Sequence, residues 1–312
     1  MPSLKAVRKR IGSVKNTQKI TRAMKMVAGA RLSRAQQRIV ALRPYAVKTA
    51  EVLQNVAAAA IVDKEDKEAS PDIVSVPLHP LLVVRPEKRV LYLVISSDRG
   101  LCGAFNANVS RAAERAWKEK EAQGIEVSFA TVGRKARDYL QRRKGVIAHD
   151  FPNVMEGLDL ARVKLLSDWI VPKIRGENAE FDAVYVIYNE FKSAITQLTV
   201  VDSLLPLKAA KSEKTETEKA DANSVSRDFE YEPSRDILLD RLVPMYVDIT
   251  LYRALLESQA SEFGARMSAM DAATRNAKEV IEKLTLVYNR ARQAGITKEL
   301  VEIVSGAEAL KE

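Results

Sequence analysis

The chain has 312 residues, enough for about two domains and a sizeable core, which excludes a mini-protein. Its 50 Lys and Arg outnumber 41 Asp and Glu, yet 13 of the basic residues lie in the first fifty positions, which hold no acid. The remainder, with 37 basic and 41 acidic side chains, is mildly acidic, so the basic character belongs to one N-terminal stretch. A single cysteine, Cys102, excludes an internal disulfide or a CxxC redox pair and fits a reducing compartment. No apolar run is long enough to span a bilayer, and the basic start lacks the apolar core of a secretion signal. That start mimics a mitochondrial transit peptide, although such peptides are Ser-rich.

Residues 3 to 57 read as one long helix whose apolar positions Leu4, Val7, Ile11 and Val14, then Met24, Val27, Ile39, Leu42, Leu53 and Val56, form a narrow stripe suited to packing on another helix. Gly12, Gly29 and Pro44 are its weak points. Residues 61 to 88 carry Pro71, Pro77, Pro80 and Pro86 beside an acidic cluster from Asp63 to Glu68, the composition of a linker. β-branched runs follow at Val90 to Ile95, Ile125 to Val132, Ala183 to Tyr188 and Ile195 to Val201. Helical patterns fall between them, at about Asn106 to Gln123, Arg134 to Arg143 and Leu158 to Ile174. This alternation over residues 89 to 207 predicts a Rossmann-like α/β domain with a mainly parallel sheet. Residues 208 to 233 contain a polar stretch, read as an exposed loop.

The C-terminal part, 234 to 312, is heptad-patterned through Ile249, Tyr252, Leu256, Gln259, Phe263, Arg266, Met270, Ala273, Ala277, Val280, Leu284, Val287 and Ala291, with two polar intrusions. A helix from about Met245 to Ala294 would be roughly 75 Å long. Neither terminal helix, 1 to 60 or the C-terminal one, can bury its stripe alone. The fold class expected is therefore α/β plus long α, with two terminal helices in an antiparallel coiled coil around a central α/β domain; a larger helical bundle is the alternative.

The first strand leads into Ser96 to Asn106, where an α/β domain would hold a phosphate. Neither GxGxxG nor GxxxxGK[ST] is present, so a tight structural turn is the better reading. Cys102 has no signature pairing it with His79 or His149, which leaves it a buried small side chain rather than a nucleophile. No His, Cys or carboxylate cluster has metal-ligand spacing, and no catalytic or cofactor-binding residue is assigned. Arg134-Lys135 and Arg142-Arg143-Lys144 are short basic runs of the kind found on solvated helix faces. The basic N-terminal helix could bind nucleic acid, but it shares its length with an apolar seam, has no aromatic before Tyr45, and precedes no reading motif. Such a helix suits movement inside an acidic or apolar protein sleeve equally well.

Three segments carry a resemblance. Ile296 to Ala309, ITKELVEIVSGAEA, fits throughout the C-terminal signature of the gamma-subunit family of F-type ATP synthases. Val14 to Thr21 with Ala23-Met24 is similar to that family's N-terminal helix, and Asp98 to Gly103 resembles its loop after the first strand. The likeness covers nearly the whole chain, with residues 61 to 88 and 208 to 228 as its variable stretches.

The resemblance implies a non-catalytic rotor shaft that couples proton flow to ATP synthesis or hydrolysis on the beta subunits. It implies as partners three alpha and three beta subunits, the epsilon subunit and the c-ring, with membrane association only through the complex and no nucleic acid. Met24, Arg292, Gln293, Thr297 and Glu299 stand where the family's shaft meets the catch loop of beta, and Tyr231 and Glu232 match the foot on the c-ring and epsilon. Unlike the chloroplast form, 208 to 228 holds no cysteine pair, so thiol regulation is not expected. The start Met1 to Arg8 aligns with the family's mature N-terminus, which argues for a bacterial protein on the cytoplasmic face of the inner membrane.

Overall fold

A computed structural model describes residues 3–65, 79–82, 85–175, 179–207 and 235–309. The elements in chain order are α1 (Leu4–Glu65), a short 3-10 turn (Pro80–Leu82), β1 (Arg89–Ile95), α2 (Phe105–Glu121), β2 (Glu126–Val132), α3 (Arg134–Arg142), β3 (Ile147–Phe151), α4 (Leu160–Ile170), β4 (Ala183–Phe191), β5 (Gln197–Leu205) and α5 (Arg235–Ala309). Both terminal helices outrun the periodicity that announced them. α1 continues through Ala57–Ala60, strong helix formers, and α5 starts ten residues before Met245 with Pro244 inside its length. The expected linker from 61 therefore begins as helix, and most of the rest of it, with the polar stretch from 208, lies outside the described residues.

The chain falls into two compact units, Met1–Ala30 with Arg266–Glu312, and Arg31–Ala265. In the second unit the sheet has the order β3-β2-β1-β4-β5, with β5 antiparallel to β4 and every other pairing parallel. Its central strand shows why period two matters. Val90, Tyr92 and Val94 pack with α2 and α3 through Val109, Ala113, Ala136 and Leu140. Leu91, Leu93 and Ile95 face the other way, toward α4 and α5 through Val163, Leu166, Leu251 and Leu255. A strand buried on both faces reads as a continuous apolar run, and β1 does.

β3 is the strand the pattern analysis missed. It is an edge strand with only Ile147 and Phe151 as large apolar residues in Ile147-Ala148-His149-Asp150-Phe151, and polar side chains add to its pairing with β2. Asp150 accepts from Thr131 at 2.7 Å and from Arg137 at 3.0 Å, while His149 stacks on Trp169 with ring centres 4.8 Å apart.

Within this unit the polar intrusion Gln259 of α5 has a structural use. Its amide donates to the Met155 carbonyl at 2.8 Å, and two residues on, Ser261 donates to the Asn189 carbonyl at 2.9 Å. Each places a polar α5 side chain against a backbone carbonyl, so it is hydrogen-bonded although buried.

Gly133, between β2 and α3, adopts φ +91°, and a Cβ there would stand 2.4 Å from the Ser96 carbonyl oxygen. Gly133→Ala is expected to cost about 2–3 kcal/mol in chemical denaturation. Gly12, in the interior of α1 with open space around it, serves as the contrast: Gly12→Ala should stabilise the isolated chain by about 0.5–1 kcal/mol.

Candidate functional site

The first unit consists of the beginning of α1 and the end of α5. Three cross-helix contacts fix their sense: the Thr21 and Thr274 hydroxyls are 2.8 Å apart, Lys25 Nζ is 2.5 Å from Asp271 Oδ1, and a Cβ on Gly29 would meet Met267 Sδ at 3.5 Å. As the number on one helix rises the number on the other falls, so the pair is antiparallel, as expected. Lys25, first through its hydrogen bond, holds the Asp271 carboxyl below its ordinary pKa.

Burial along α1 recurs at Val7, Ile11, Val14, Gln18, Thr21, Lys25 and Ala28, alternating steps of four and three. On α5 it recurs at Met270, Ala277, Ile281, Leu284, Tyr288, Ala291 and Gly295. This register corrects the expected stripe. Val27 is 53% exposed, and Val280 and Val287 also point away from the seam. The apolar side chains were assigned to it because they are apolar, whereas the seam is filled by smaller and partly polar residues that allow close approach. Ala28 is 2% exposed and Thr21 is buried with its hydroxyl paired.

Apolar side chains consequently face outward. Ile20, Met26 and Val27 on α1, and Val280, Leu286 and Val287 on α5, are exposed. Past Gly295 the helix α5 has no facing residue in α1, because the pairing that sets Lys25 against Asp271 brings Leu4 opposite about Arg292. There Ile296, Leu300, Val301, Ile303 and Val304 are all exposed. Arg292, Gln293, Thr297 and Glu299 lie at this end, solvent-facing, and the Thr297 hydroxyl donates to the Gln293 carbonyl at 3.0 Å. Met24 is half-buried at the flank of the seam, twenty residues and more from that end in the paired register. The structure thus gathers four of the five expected contact residues at one end and sets Met24 apart. Tyr231 and Glu232 lie outside the described residues. Of these outward positions, Val27, Val280 and Val287 are ones the heptad pattern assigns to the seam, and the others fall outside that pattern.

The loop after β1 closes on itself. Asn106 Oδ1 accepts from the Ser97 amide at 3.0 Å and Asn106 Nδ2 donates to Ser97 Oγ at 3.0 Å. The first amides of α3 are taken by Asp98, Ser97 and Ser96, at 3.1, 3.2 and 2.9 Å. A helix N-terminus is an anion site, and here the chain's own oxygens occupy it. Cys102 is buried among Phe105 and Ala265. Among the described residues no group of three or more His, Cys, Asp or Glu could hold a metal, and no helix is long and apolar enough to cross a membrane.

Comparison with known proteins decides what such an arrangement belongs to. Residues 3–310 match the family model described as ATP synthase. The ATP synthase gamma chain of Sorangium cellulosum is 53% identical, with all of both chains covered, and those of Anaeromyxobacter sp. strain Fw109-5 and Geobacter sp. strain M21 are 48% and 46% identical, again over the full length of both. The chain belongs to the ATP synthase gamma-chain family. Its role is that of the rotor shaft of the F1 sector. The fold agrees: a chain of the Euglena gracilis mitochondrial ATP synthase superposes with a TM-score of 0.64 at 18% identity, covering 98% of this chain and 94% of that one. A chain of the Tetrahymena thermophila central stalk and c-ring structure gives 0.59 at 24% identity, covering 81% and 99%.

The corrected register separates two substitutions that sequence alone would rank the other way. Ala28→Leu overfills the seam and should destabilise the isolated chain by about 1–3 kcal/mol, whereas Val27→Thr should change stability by less than about 0.5 kcal/mol in the same denaturation series.

Proposed function

We propose that the paired helices turn inside a ring of three alpha and three beta subunits, and that the α/β unit meets the epsilon subunit and the c-ring. Proton flow through the membrane sector then drives ATP synthesis, or ATP hydrolysis the reverse, with all bond chemistry on beta and none on this chain. The shaft also regulates ATPase activity by resisting or permitting rotation, and works at the cytoplasmic face of the bacterial inner membrane as a peripheral component. The observation that carries this reading is the outward apolar surface of the first unit. Leu286, 71% exposed, lies where the seam is already closed, and Ile303, 68% exposed, lies on the end of α5 that has no facing residue in α1, so neither is covered within the chain and a protein sleeve would cover both.

A sleeve lined by such contacts lets a rotor slide, because apolar packing is non-directional and no hydrogen bond has to break at each step. Charge supplies the directional part. Arg8, Lys9, Arg10, Lys15, Lys19 and Arg22 are exposed on α1, which suits acidic loops of beta. In this reading Arg292, Gln293, Thr297 and Glu299 form polar catch contacts at the overhanging end of α5, Met24 makes an apolar contact along the flank, and Tyr231 with Glu232 forms part of the foot. Asymmetry between the sides of the shaft would then place the three nucleotide sites in different states in turn.

The test is assembly and coupling in membranes. The chain should co-purify with alpha, beta and epsilon in fixed ratio. Replacing Arg8, Arg10 and Arg22 together with Gln should lower ATP-driven proton pumping roughly two- to tenfold, in proportion to a few exposed charge contacts. Pumping at the native rate would show that the cationic surface is incidental, and recovery of a lone monomer from membranes containing ATP synthase would remove the rotor assignment.

A further inference from the structure

Within the second unit, α5 passes through the α/β domain in an unusual way. Every residue from Ala254 to Glu262 is buried. At 3.6 residues per turn this stretch covers more than two full turns, so the helix is enclosed on all sides, whereas a surface helix buries one stripe. Leu255 and Leu256 belong to the sheet core, but Glu257, Ser258, Gln259, Ser261 and Glu262 are polar. Polar side chains at the centre of a core carry a desolvation cost that apolar ones would avoid, so their presence in an encircled helix asks for a reason.

The enclosure is a collar built from parts remote in sequence. On one side the loop after β3 offers the Met155 carbonyl, which accepts from the Gln259 amide at 2.8 Å. On another, β4 offers the Asn189 carbonyl, which accepts from the Ser261 hydroxyl at 2.9 Å. Asn189 is itself pinned, because its amide donates to the Phe105 carbonyl at 3.3 Å and its Oδ1 accepts from Thr199 at 2.6 Å. The turn between β4 and β5 closes against Gly264, where a Cβ would stand 3.2 Å from the Ala194 Cα and carbonyl oxygen. From α1 the Arg31 guanidinium carbon lies 5.8 Å from the centre of the Phe263 ring. Gln259 and Ser261 are two residues apart, which separates them by about 200° around the helix axis. Their hydrogen bonds therefore leave α5 on nearly opposite sides and end on two different elements.

That placement matters for a helix under torque. Apolar packing is non-directional and yields gradually when a helix turns about its axis, whereas a hydrogen bond weakens steeply once donor and acceptor lose alignment. Two such bonds on opposite sides resist turning in either sense. We propose that Gln259 and Ser261 are positioning residues that key α5 to its collar, so that torque applied to the α/β unit passes into the shaft helix without slip. The inference rests on the rotor reading above and names the side chains that bear its load. α5 continues from the collar to Ala309 as one helix, so the angle fixed at Gln259 and Ser261 is the angle from which the rest of it extends.

The test uses the assembled enzyme in inverted membrane vesicles, with ATP hydrolysis and proton pumping measured together at low and at high opposing proton gradient. Gln259→Met with Ser261→Ala removes both donors at nearly constant volume. Protons pumped per ATP should match native at low gradient and fall by roughly a third to a half at high gradient, where the collar must hold more torque. Ser261→Ala alone should show a smaller fall of the same kind, and reads the effect even where the double variant assembles poorly. Leu255→Val and Leu255→Ala, apolar changes in the same stretch, bracket the loss of stability in urea denaturation of the isolated chain and should keep the native ratio at both gradients. An unchanged ratio in the double variant and in Ser261→Ala, or an equal gradient-dependent fall in a Leu255 variant of matched stability, overturns the keying role and leaves the rotor reading standing. Native vesicles that hydrolyse ATP through this complex without pumping would instead remove the rotor reading itself.

Discussion

The antiparallel seam between the two chain ends is the constraint on which the rest of the structure depends. Its contacts join residues as far apart as Thr21 and Thr274, 253 positions along the sequence. Closing so long a loop carries an entropic cost that grows only slowly with length. Within the α/β unit the two helices meet a second time: α1 residues Ile39, Leu42 and Leu53 and α5 residues Leu239, Val243 and Val247 belong to one core with β1 and β4.

Small seam residues follow from that requirement. Thr21, Ala28, Gly29, Ala277 and Gly295 give little apolar area per turn compared with a Leu-rich coiled coil, so specificity of register comes from the Thr21–Thr274 and Lys25–Asp271 pairs more than from bulk. Both of those pairs are partly exposed, which makes each a modest contributor to stability and a strong statement of which residue faces which. Polar groups at seam positions disfavour slipped alternatives, because a shift by one residue would separate Lys25 from Asp271 and leave the Thr21 hydroxyl without Thr274.

This explains what the sequence made legible. The parallel sheet was readable because β1, β2 and β4 are apolar on both faces, and the long helices were readable because their period is sustained far beyond ordinary helix lengths. β3 was not, since His149 and Asp150 are held by Trp169, Thr131 and Arg137, which are remote in sequence. The register of the shaft was misread at Val27, Val280 and Val287 for a different physical reason. Periodicity analysis assumes that apolar side chains seek the interior of the same molecule, and it has no term for an interior supplied by other chains. Assignment of the contact residues came from family resemblance, not from any local chemistry they display, and the exposed end of α5 adds a geometric reason for four of them.

That last failure carries information of its own. On a free-standing helical pair, outward Val280, Leu286, Val287, Ile303 and Val304 would be liabilities, exposing apolar area that favours aggregation. In the proposed sleeve they would be covered, and the stability of the shaft would then be linked to its assembly by mass action, since a partner that covers these faces stabilises the fold. Two sets of positions are then under separate physical demands. Seam residues answer to the partner helix, and at Thr21, Ala28 and Ala277 must stay small, while outward residues would answer to the proposed sleeve and stay apolar without locking. A rotor needs both at once, because a seam loose enough to slip would absorb torque as twist, and an outer surface fitted as tightly as a core would hold the shaft at one angle.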